Sequence, residues 1–283
     1  REKLFQKKLL IDELKKIDQK FNNPEKLFFS EHHMSHAASA FYPSPFKEAI
    51  IFTADGVGEW ATTTVAIGLE NRIEIKKEIH FPHSLGLLYS AFTYYVGFRV
   101  NSGEYKLMGL APYGEPKYKD LILNNLIDVK NDGSFNLDQK YFNYSTGLTM
   151  TNDKFSKLFG RKPRIPEKDK IEQFHMDIAA SIQSVTEEIV IKIVTDLKKE
   201  FKISNLCLAG GVALNCVANG KILQKKIFEN IWIQPAAGDA GGALGSILAF
   251  WHNEKHNKRV EPLNDKMKGS FLGPEFSQEE IEK

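Results

Sequence analysis

Apolar and charged positions alternate at helical spacing over residues 4–19, which predicts an amphipathic helix. Past a cluster of histidines at 31–36 the period changes. Runs rich in β-branched residues at about 48–55, 61–69 and 72–80 predict three strands, and the Glu70-Asn71 turn predicts an antiparallel hairpin between the last two. Ser84 is placed to cap a helix reaching about Gly97. Residues 98–168 are rich in Gly, Pro, Asn and Lys. They hold little sustained period except near 116–127, and predict an irregular insertion carrying short elements. A long helix is expected over about 171–200, with Ile178, Ile182, Val185, Ile189 and Ile193 on one stripe. Strand 204–209, helix 213–226, strand 230–233 and helix 240–252 complete the pattern. No self-similarity at solenoid periods is present. The fold class expected is α/β: a mixed sheet with an antiparallel three-strand start and flanking helices.

Chemistry concentrates at three places. Glu31-His32-His33-Met34-Ser35-His36 carries three imidazoles in six residues. On a helix His32 and His36 stand at i and i+4 and project from one face. A neutral ring nitrogen is the commonest protein metal donor, so the pair makes half of a first-row metal site. The same residues also fit a polar cluster on a surface helix. Two acids stand where strands should end: Asp55, before Gly56-Val57-Gly58, and Asp239, in Pro235-Ala236-Ala237-Gly238-Asp239-Ala240-Gly241-Gly242. Ligands of open α/β sheets bind where strands give way to loops. Two carboxylates with two imidazoles would suit iron, zinc or manganese better than calcium or magnesium. Taken singly, Asp55 also reads as a turn-forming Asx residue and Asp239 as a helix N-cap. The third place is Leu206-Cys207-Leu208-Ala209-Gly210-Gly211-Val212-Ala213-Leu214-Asn215, a strand, a diglycine and a helix start. It reads either as an anion-attracting helix entry or as tight strand–helix packing.

Composition narrows the classes. The 283 residues, 42% hydrophobic, suffice for one large core or two smaller ones. Thirty-eight basic against 36 acidic side chains leave a net charge of +2, which makes no electrostatic case for nucleic acid or a membrane surface as partner. The basic tract from Lys154 to Lys170 reads as a solvated loop. No apolar run approaches the ~20 residues needed to span a bilayer, and no secretory signal is visible. Cys207 and Cys216 lack metal-type spacing and read as buried or neutral thiols, reduced in the cytoplasm. With Arg1 at its start and Glu-Glu-Ile-Glu-Lys at its end, the chain reads as a fragment. The order β-β-β-α, insertion, α-β-α-β-α is that of an RNase H-like subdomain.

Five runs, in order, carry a family resemblance: Glu31 through Ser44, Asp55-Gly56-Val57-Gly58-Glu59-Trp60, Asn101 through Gly114, Ala209 through Asn215, and Pro235 through Gly241. Together they resemble the NodU/CmcH-type carbamoyltransferases, which include nodulation and antibiotic O-carbamoyltransferases, over nearly the whole chain. The resemblance implies an actin-like ATPase fold close to the tRNA threonylcarbamoyl-transfer enzymes, followed by a YrdC-like domain. It implies that the YrdC-like domain makes carbamoyl-adenylate from carbamoyl phosphate and ATP. The actin-like domain would then pass the carbamoyl group to a hydroxylated small-molecule acceptor. It also implies an iron-type metal held by two His and two Asp, which would here be His32, His36, Asp55 and Asp239. Gly56, Gly58, Gly210 and Gly211, with Asn215, would face the adenylate. Lys106 would neutralise phosphate or carbonyl charge, or else be a solvated loop lysine. His33 reads as a residue behind the ligands or on the surface, not as the general base.

The sequence departs from the family in extent. The strands of the first actin-like half and the YrdC-like domain expected after Phe276-Ser277 are not in it. The expected layout is a helical lead-in with the His cluster at 1–47 and an RNase H-like subdomain at 48–260 with its insertion at 98–168. Residues 261–283 would begin a linker to the YrdC-like domain. Such a fragment is expected to bind metal and to bind nucleotide weakly without turnover. Two other functions fit the same residues: a metal- and ATP-dependent phosphotransferase or ATPase of actin-like fold, and a non-catalytic nucleotide-sensing module.

Overall fold

The computed structural model describes residues 5–21, 24–260 and 262–283. It consists of an N-terminal unit ending at Ser30 and a main unit, Glu31–Lys283. In the first, α1 spans Gln6–Ile17 and ends with Lys15 and Lys16 in its last turn, where cations complement the helix dipole. Residue 4 of the expected helix and residue 261 of the expected linker lie outside the described residues. The lead-in expected over 1–47 divides at residue 30, because the histidine helix α2, His32–Phe41, buries eight of its ten residues within the main unit.

The main sheet forms from β1 (Glu48–Ala54), β2 (Ala61–Leu69), β3 (Arg72–His80), and two later strands. A two-residue turn with Glu70 at positive φ closes the β2–β3 hairpin. A separate small hairpin, β4 (Ile127–Val129) and β5 (Phe135–Leu137), lies in the insertion. The later strands of the main sheet are β6 (Asn205–Ala209) and β7 (Asn230–Ile233). The order is β3-β2-β1-β6-β7. β1–β2 and β2–β3 are antiparallel, whereas β1–β6 and β6–β7 are parallel. This is a mixed α/β architecture with the antiparallel three-strand start that the sequence predicts.

Both faces of the sheet are covered, which is why β1 and β6 read as continuous apolar runs. Side chains alternate along a strand, so Ile50, Phe52 and Ala54 enter one core while Ala49 and Ile51 enter the other. The larger core is roofed by α3 (Leu85–Tyr95, capped by Ser84) and by the 29-residue α7 (Gln173–Phe201). The α7 stripe of Ile178, Ile182, Val185, Ile189 and Ile193 is buried, as its spacing predicts. The smaller core lies under α2, whose Ala37, Ala38, Ala40 and Phe41 pack on the strands.

The insertion is more regular than its composition suggests. It holds α4 (Glu104–Leu110), α5 (Lys119–Asn125), the β4–β5 hairpin and α6 (Asp153–Phe159). α6 corrects the first part of the tract read as a solvated loop, 154–159, whereas 160–170 forms no helix and is mostly exposed. Asn152 caps the helix, and Phe155 and Phe159 turn inward from between exposed lysines. Phe155 is fully buried, with ring centroids of Phe92, Tyr95 and Phe159 at 5.2, 5.0 and 4.9 Å. Phe155→Ala is therefore expected to destabilise the protein by about 3–5 kcal/mol, read as a lower midpoint in urea denaturation. A shift within error would show that this cluster does not hold the insertion to the core.

Toward the C-terminus, a 3-10 turn at Gly211–Leu214 precedes α8 (Cys216–Gln224), so the helix expected from 213 begins only after Asn215 caps it. α9 (Asp239–Leu248) continues into a π-turn at Ala249–Glu254. Of the two thiols expected to be buried or neutral, Cys207 is buried and Cys216 is exposed at the start of α8. α9 approaches α2 so closely that a Cβ on Gly245 would stand 1.8 Å from the Ser35 carbonyl oxygen. Beyond α9, the Arg259 guanidinium donates to the carbonyls of Tyr42, Ser44 and Phe46 just past the end of α2. Among the described residues no helix is long and apolar enough to cross a membrane.

Candidate metal centre

β1, β6 and β7 run parallel, so their C-terminal ends open on one edge of the sheet. The loop after β1 carries Asp55, the loop after β6 carries Gly210-Gly211, and the loop after β7 leads to Asp239. α2 lies over these strands with its first turn toward the same edge and brings His32 and His36, one turn apart, to the two acids.

The four side chains converge. One donor atom from each of His32, His36, Asp55 and Asp239 lies within 4.8 Å of the other three. Asp55 Oδ2 stands 2.8 Å from His32 Nε2 and 3.1 Å from His36 Nε2, and the two Nε2 atoms are 3.0 Å apart. Asp239 Oδ1 lies 3.5 and 3.6 Å from the same two nitrogens. Around a first-row ion with bonds of about 2.1 Å, adjacent donors stand roughly 3.0 Å apart in octahedral and roughly 3.4 Å in tetrahedral geometry. The His32, His36 and Asp55 donors stand close to that spacing, and Asp239, at 3.5 and 3.6 Å, stands just outside it. Two imidazole nitrogens and a carboxylate oxygen at this spacing need an N–H hydrogen or a metal ion among them to offset lone-pair repulsion.

The electrostatics agree. Burial pushes the Asp55 carboxyl up, but hydrogen bonds to His32 and His36 outweigh it and hold the group well below the usual carboxylate range. The hydrogen bond to Asp55 raises the His32 imidazole above its ordinary value against the opposing effect of its partial burial. A metal ion would replace that proton, as imidazole ligands bind in the neutral form. The burial is graded, with the His36 side chain 1% and the Asp239 side chain 80% exposed. The buried imidazole thus forms the floor of the cluster and Asp239 its open rim.

The local alternatives do not describe these acids. The Asp55 carboxylate does accept locally, from the Gly56 N–H, but its bonds do not stop at the turn. Its Oδ1 accepts from the backbone N–H of Gly211 at 3.1 Å, 156 residues away, tying the β1 loop to the β6 loop. Asp239 is the first residue of α9 rather than its N-cap, which is Gly238. Its carboxylate, not consumed in capping, stands near the positive end of the helix dipole.

The family model described as "Carbamoyltransferase N-terminus" matches residues 1–248. The chain belongs to this carbamoyltransferase family. It is 61% identical over 282 residues to an uncharacterized protein of Synechocystis sp., a match covering 99% of this chain and 46% of that protein. It is 35% identical over 260 residues to nodulation protein NolNO of Sinorhizobium fredii, covering 91% of this chain and 36% of the relative. The chain thus spans less than half the length of these curated relatives. Among solved structures, full-length HypF in its phosphate- and nucleotide-bound form has 14% sequence identity and a TM-score of 0.46, over 80% of this chain and 44% of that one.

Around the cluster, this carbamoyltransferase N-terminal region uses its glycines in an unexpected way. Gly210 and Gly211 donate to Ala237 O and Asp55 Oδ1, Gly58 donates to Ala61 O, and the Gly56 N–H bonds the Asp55 carboxylate. The Gly210 and Gly211 amides tie the loop after β6 to the other two, and those of Gly56 and Gly58 close the loop after β1 on itself, so the expectation that they face an adenylate rests on their bareness, not on free N–H groups. Asn215 is similarly engaged. Its Oδ1 accepts from Ala218 N and Gln183 Nε2, and its Nδ2 donates to Gln183 Oε1. Lys106 lies exposed on α4 with its Nζ 5.9 Å from the Tyr105 ring centroid. His33 is buried behind the cluster, not on the surface. Its Nδ1 stands 3.3 Å from Thr64 Oγ1, and burial lowers its pKa to about 4.

Sequence reasoning passed over Glu59 and Gln234, both of which bond the backbone of α2. One signal was available: α2 has neither a side-chain N-cap nor an acid in its first turn, so its free amides needed a partner from elsewhere.

Proposed function

We propose that this chain is the metal-holding portion of an O-carbamoyltransferase that passes a carbamoyl group from carbamoyl-adenylate to an acceptor hydroxyl. The convergence of His32, His36, Asp55 and Asp239 at the ends of three parallel strands, in a chain of this family, carries the reading. The strand order β3-β2-β1-β6-β7 supports an RNase H-like, actin-like subdomain. The greater length of the relatives leaves room for a first actin-like half and a YrdC-like domain that makes the adenylate from carbamoyl phosphate and ATP.

In this reading the four ligands hold a first-row ion, iron being the best fit to two imidazoles and two carboxylates, with zinc or manganese as substitutes. The ion, when bound, supplies Lewis acidity that polarises a carbonyl or phosphoryl oxygen. The residues do the rest. His32, His36 and Asp55 fix three donors within hydrogen-bond distance of one another, and the exposed Asp239 leaves one side open to substrate. Gly56, Gly58, Gly210 and Gly211 present no side chains, so a phosphate can approach the loops closely. Asn215 holds the β6 loop in shape from behind, and Lys106 remains a candidate for neutralising the leaving phosphate. In the transfer, the acceptor oxygen bonds the carbamoyl carbon and the carbon–oxygen bond to phosphate breaks. AMP departs with the electron pair, and the hydroxyl proton is lost to a base. No serine or cysteine nucleophile is required.

The test is a two-part assay of the full-length protein. Phosphate and pyrophosphate release from carbamoyl phosphate plus ATP reports adenylate formation, and carbamate on a model acceptor reports transfer. His36→Ala is expected to abolish transfer while leaving adenylate formation near the wild-type rate. Equal loss of both signals in a folded variant would replace this reading with a single-site phosphotransferase or ATPase. Absence of both in the wild type would favour a nucleotide-sensing module.

A further inference from the structure

α2 begins at His32, so one imidazole donor sits on the first helical residue, where helices fray most readily. The helix is poorly equipped to hold that position by itself. Its N-cap residue makes no side-chain capping bond, and its first turn carries no acid. What holds it comes from the two loops that also supply the carboxylates. On the loop after β1, four residues beyond Asp55, both oxygens of Glu59 accept from the His32 backbone N–H, at 3.1 and 3.2 Å. Gly58 of the same loop lies against the imidazole side chains; a Cβ there would meet His33 Cδ2 at 3.0 Å and His32 Cβ at 3.1 Å. On the loop after β7, five residues before Asp239, the buried Gln234 donates through Nε2 to the Ser39 carbonyl of α2. Its Oε1 accepts from Ala236 N at 3.1 Å, bracing its own loop.

Each acid-bearing loop therefore carries one metal-facing carboxylate and one side chain that grips the backbone of the histidine helix. We propose that Glu59 and Gln234 are positioning residues, which lock α2 in register with the Asp55 and Asp239 loops so that the four donors arrive as one preformed set. Glu59 acts at the positive end of the helix dipole, where an anion is stabilising, and on the turn that carries His32. Gln234 acts on the next turns and sets the distance between α2 and the start of α9. Donor geometry of this kind tolerates about 0.5 Å of error, less than the movement of a frayed first turn.

The inference rests on the metal reading proposed above, so the experiment separates the two. The probe is Co(II), titrated into the full-length protein and followed by its visible d–d absorption, with the thermal midpoint recorded alongside. Glu59→Ala is expected to weaken Co(II) binding by about 10–100-fold, the range typical for residues that orient ligands. It should also reshape the d–d bands as His32 is exchanged for water. Glu59→Gln, which keeps an oxygen acceptor for the His32 N–H but not the charge, recovers part of the affinity. Gln234→Leu, of similar size but unable to bond Ser39, is expected to alter the bands as well. If that variant fails to fold, the Ala and Gln variants of Glu59 decide the matter. Ile122→Val, in the opposite core, should lower the thermal midpoint with Co(II) affinity unchanged.

A wild-type protein that takes up no Co(II), or whose affinity survives His36→Ala, overturns both the metal reading and the positioning role. A wild type that binds, a His36→Ala variant that does not, and a Glu59→Ala variant with unaltered affinity and bands overturn the positioning role alone. So does an equal loss of affinity in Ile122→Val, which would trace the effect to global stability.

Discussion

Asp55→Asn is expected to reduce divalent-ion affinity by more than the ~100-fold that marks the upper range for residues behind the ligands. Asp55 is the hinge of the cluster. One carboxylate oxygen faces both imidazoles while the other accepts the Gly211 N–H. Asparagine has a single acceptor oxygen. If that oxygen faces the imidazoles, the amide NH2 confronts the Gly211 N–H, donor against donor. If it faces Gly211, the NH2 occupies the metal-facing position. Either arrangement also removes a negative charge that hydrogen bonds hold ionised far below its normal range. Metal content after dialysis against a chelator, followed by titration with Zn(II) or Fe(II), measures the loss. Affinity within tenfold of wild type, in a folded variant, would mean that Asp55 is not a ligand.

Gly210→Ala is expected to cost roughly 2–6 kcal/mol from backbone strain and overpacking together. Gly210 adopts φ 87° and ψ 163°, a region that side-chain-bearing residues essentially do not occupy. Space is lacking too: a Cβ would stand 2.3 Å from the Ala54 carbonyl oxygen, at the very end of β1. That contact is backbone and cannot be relieved by a rotamer. It would push β1 and β6 apart where Asp55 and Gly211 meet, so metal affinity should fall together with stability. With total stabilities of about 5–15 kcal/mol typical of domains, chemical denaturation should show a large loss or no folded protein. A midpoint unchanged within error would show that the loop relaxes around an added methyl group.

The elements of this carbamoyltransferase N-terminal region were legible in its sequence because their signals are local. Strand runs at 48–55, 61–69 and 72–80 met the observed strands within a residue. The α7 stripe and the Ser84 cap followed from spacing and from the hydroxyl's reach to nearby amides. The insertion was less legible. In α6 the two inward phenylalanines are diluted by exposed lysines, so the tract resembled a loop, and only packing against Phe92 and Tyr95 identifies it as core.

For the site, the sequence by itself determined which donors exist and that His32 and His36 share a helix face, because i and i+4 spacing is a property of one helix. It also marked both acids as strand-end residues. It could not determine that β1, β6 and β7 are parallel neighbours, since strand pairing is set by burial on both sheet faces and not by any short segment. Only the tertiary structure places Asp55 and Asp239 on one edge of the sheet and lays α2 across it. It alone turns the Gly210 and Gly211 N–H groups onto the neighbouring loops, and it alone supplies α2 with a cap from Glu59, 27 residues away. Such bonds join backbone groups to side chains far apart in the chain, and nothing in the spacing of residues records a contact that only folding creates.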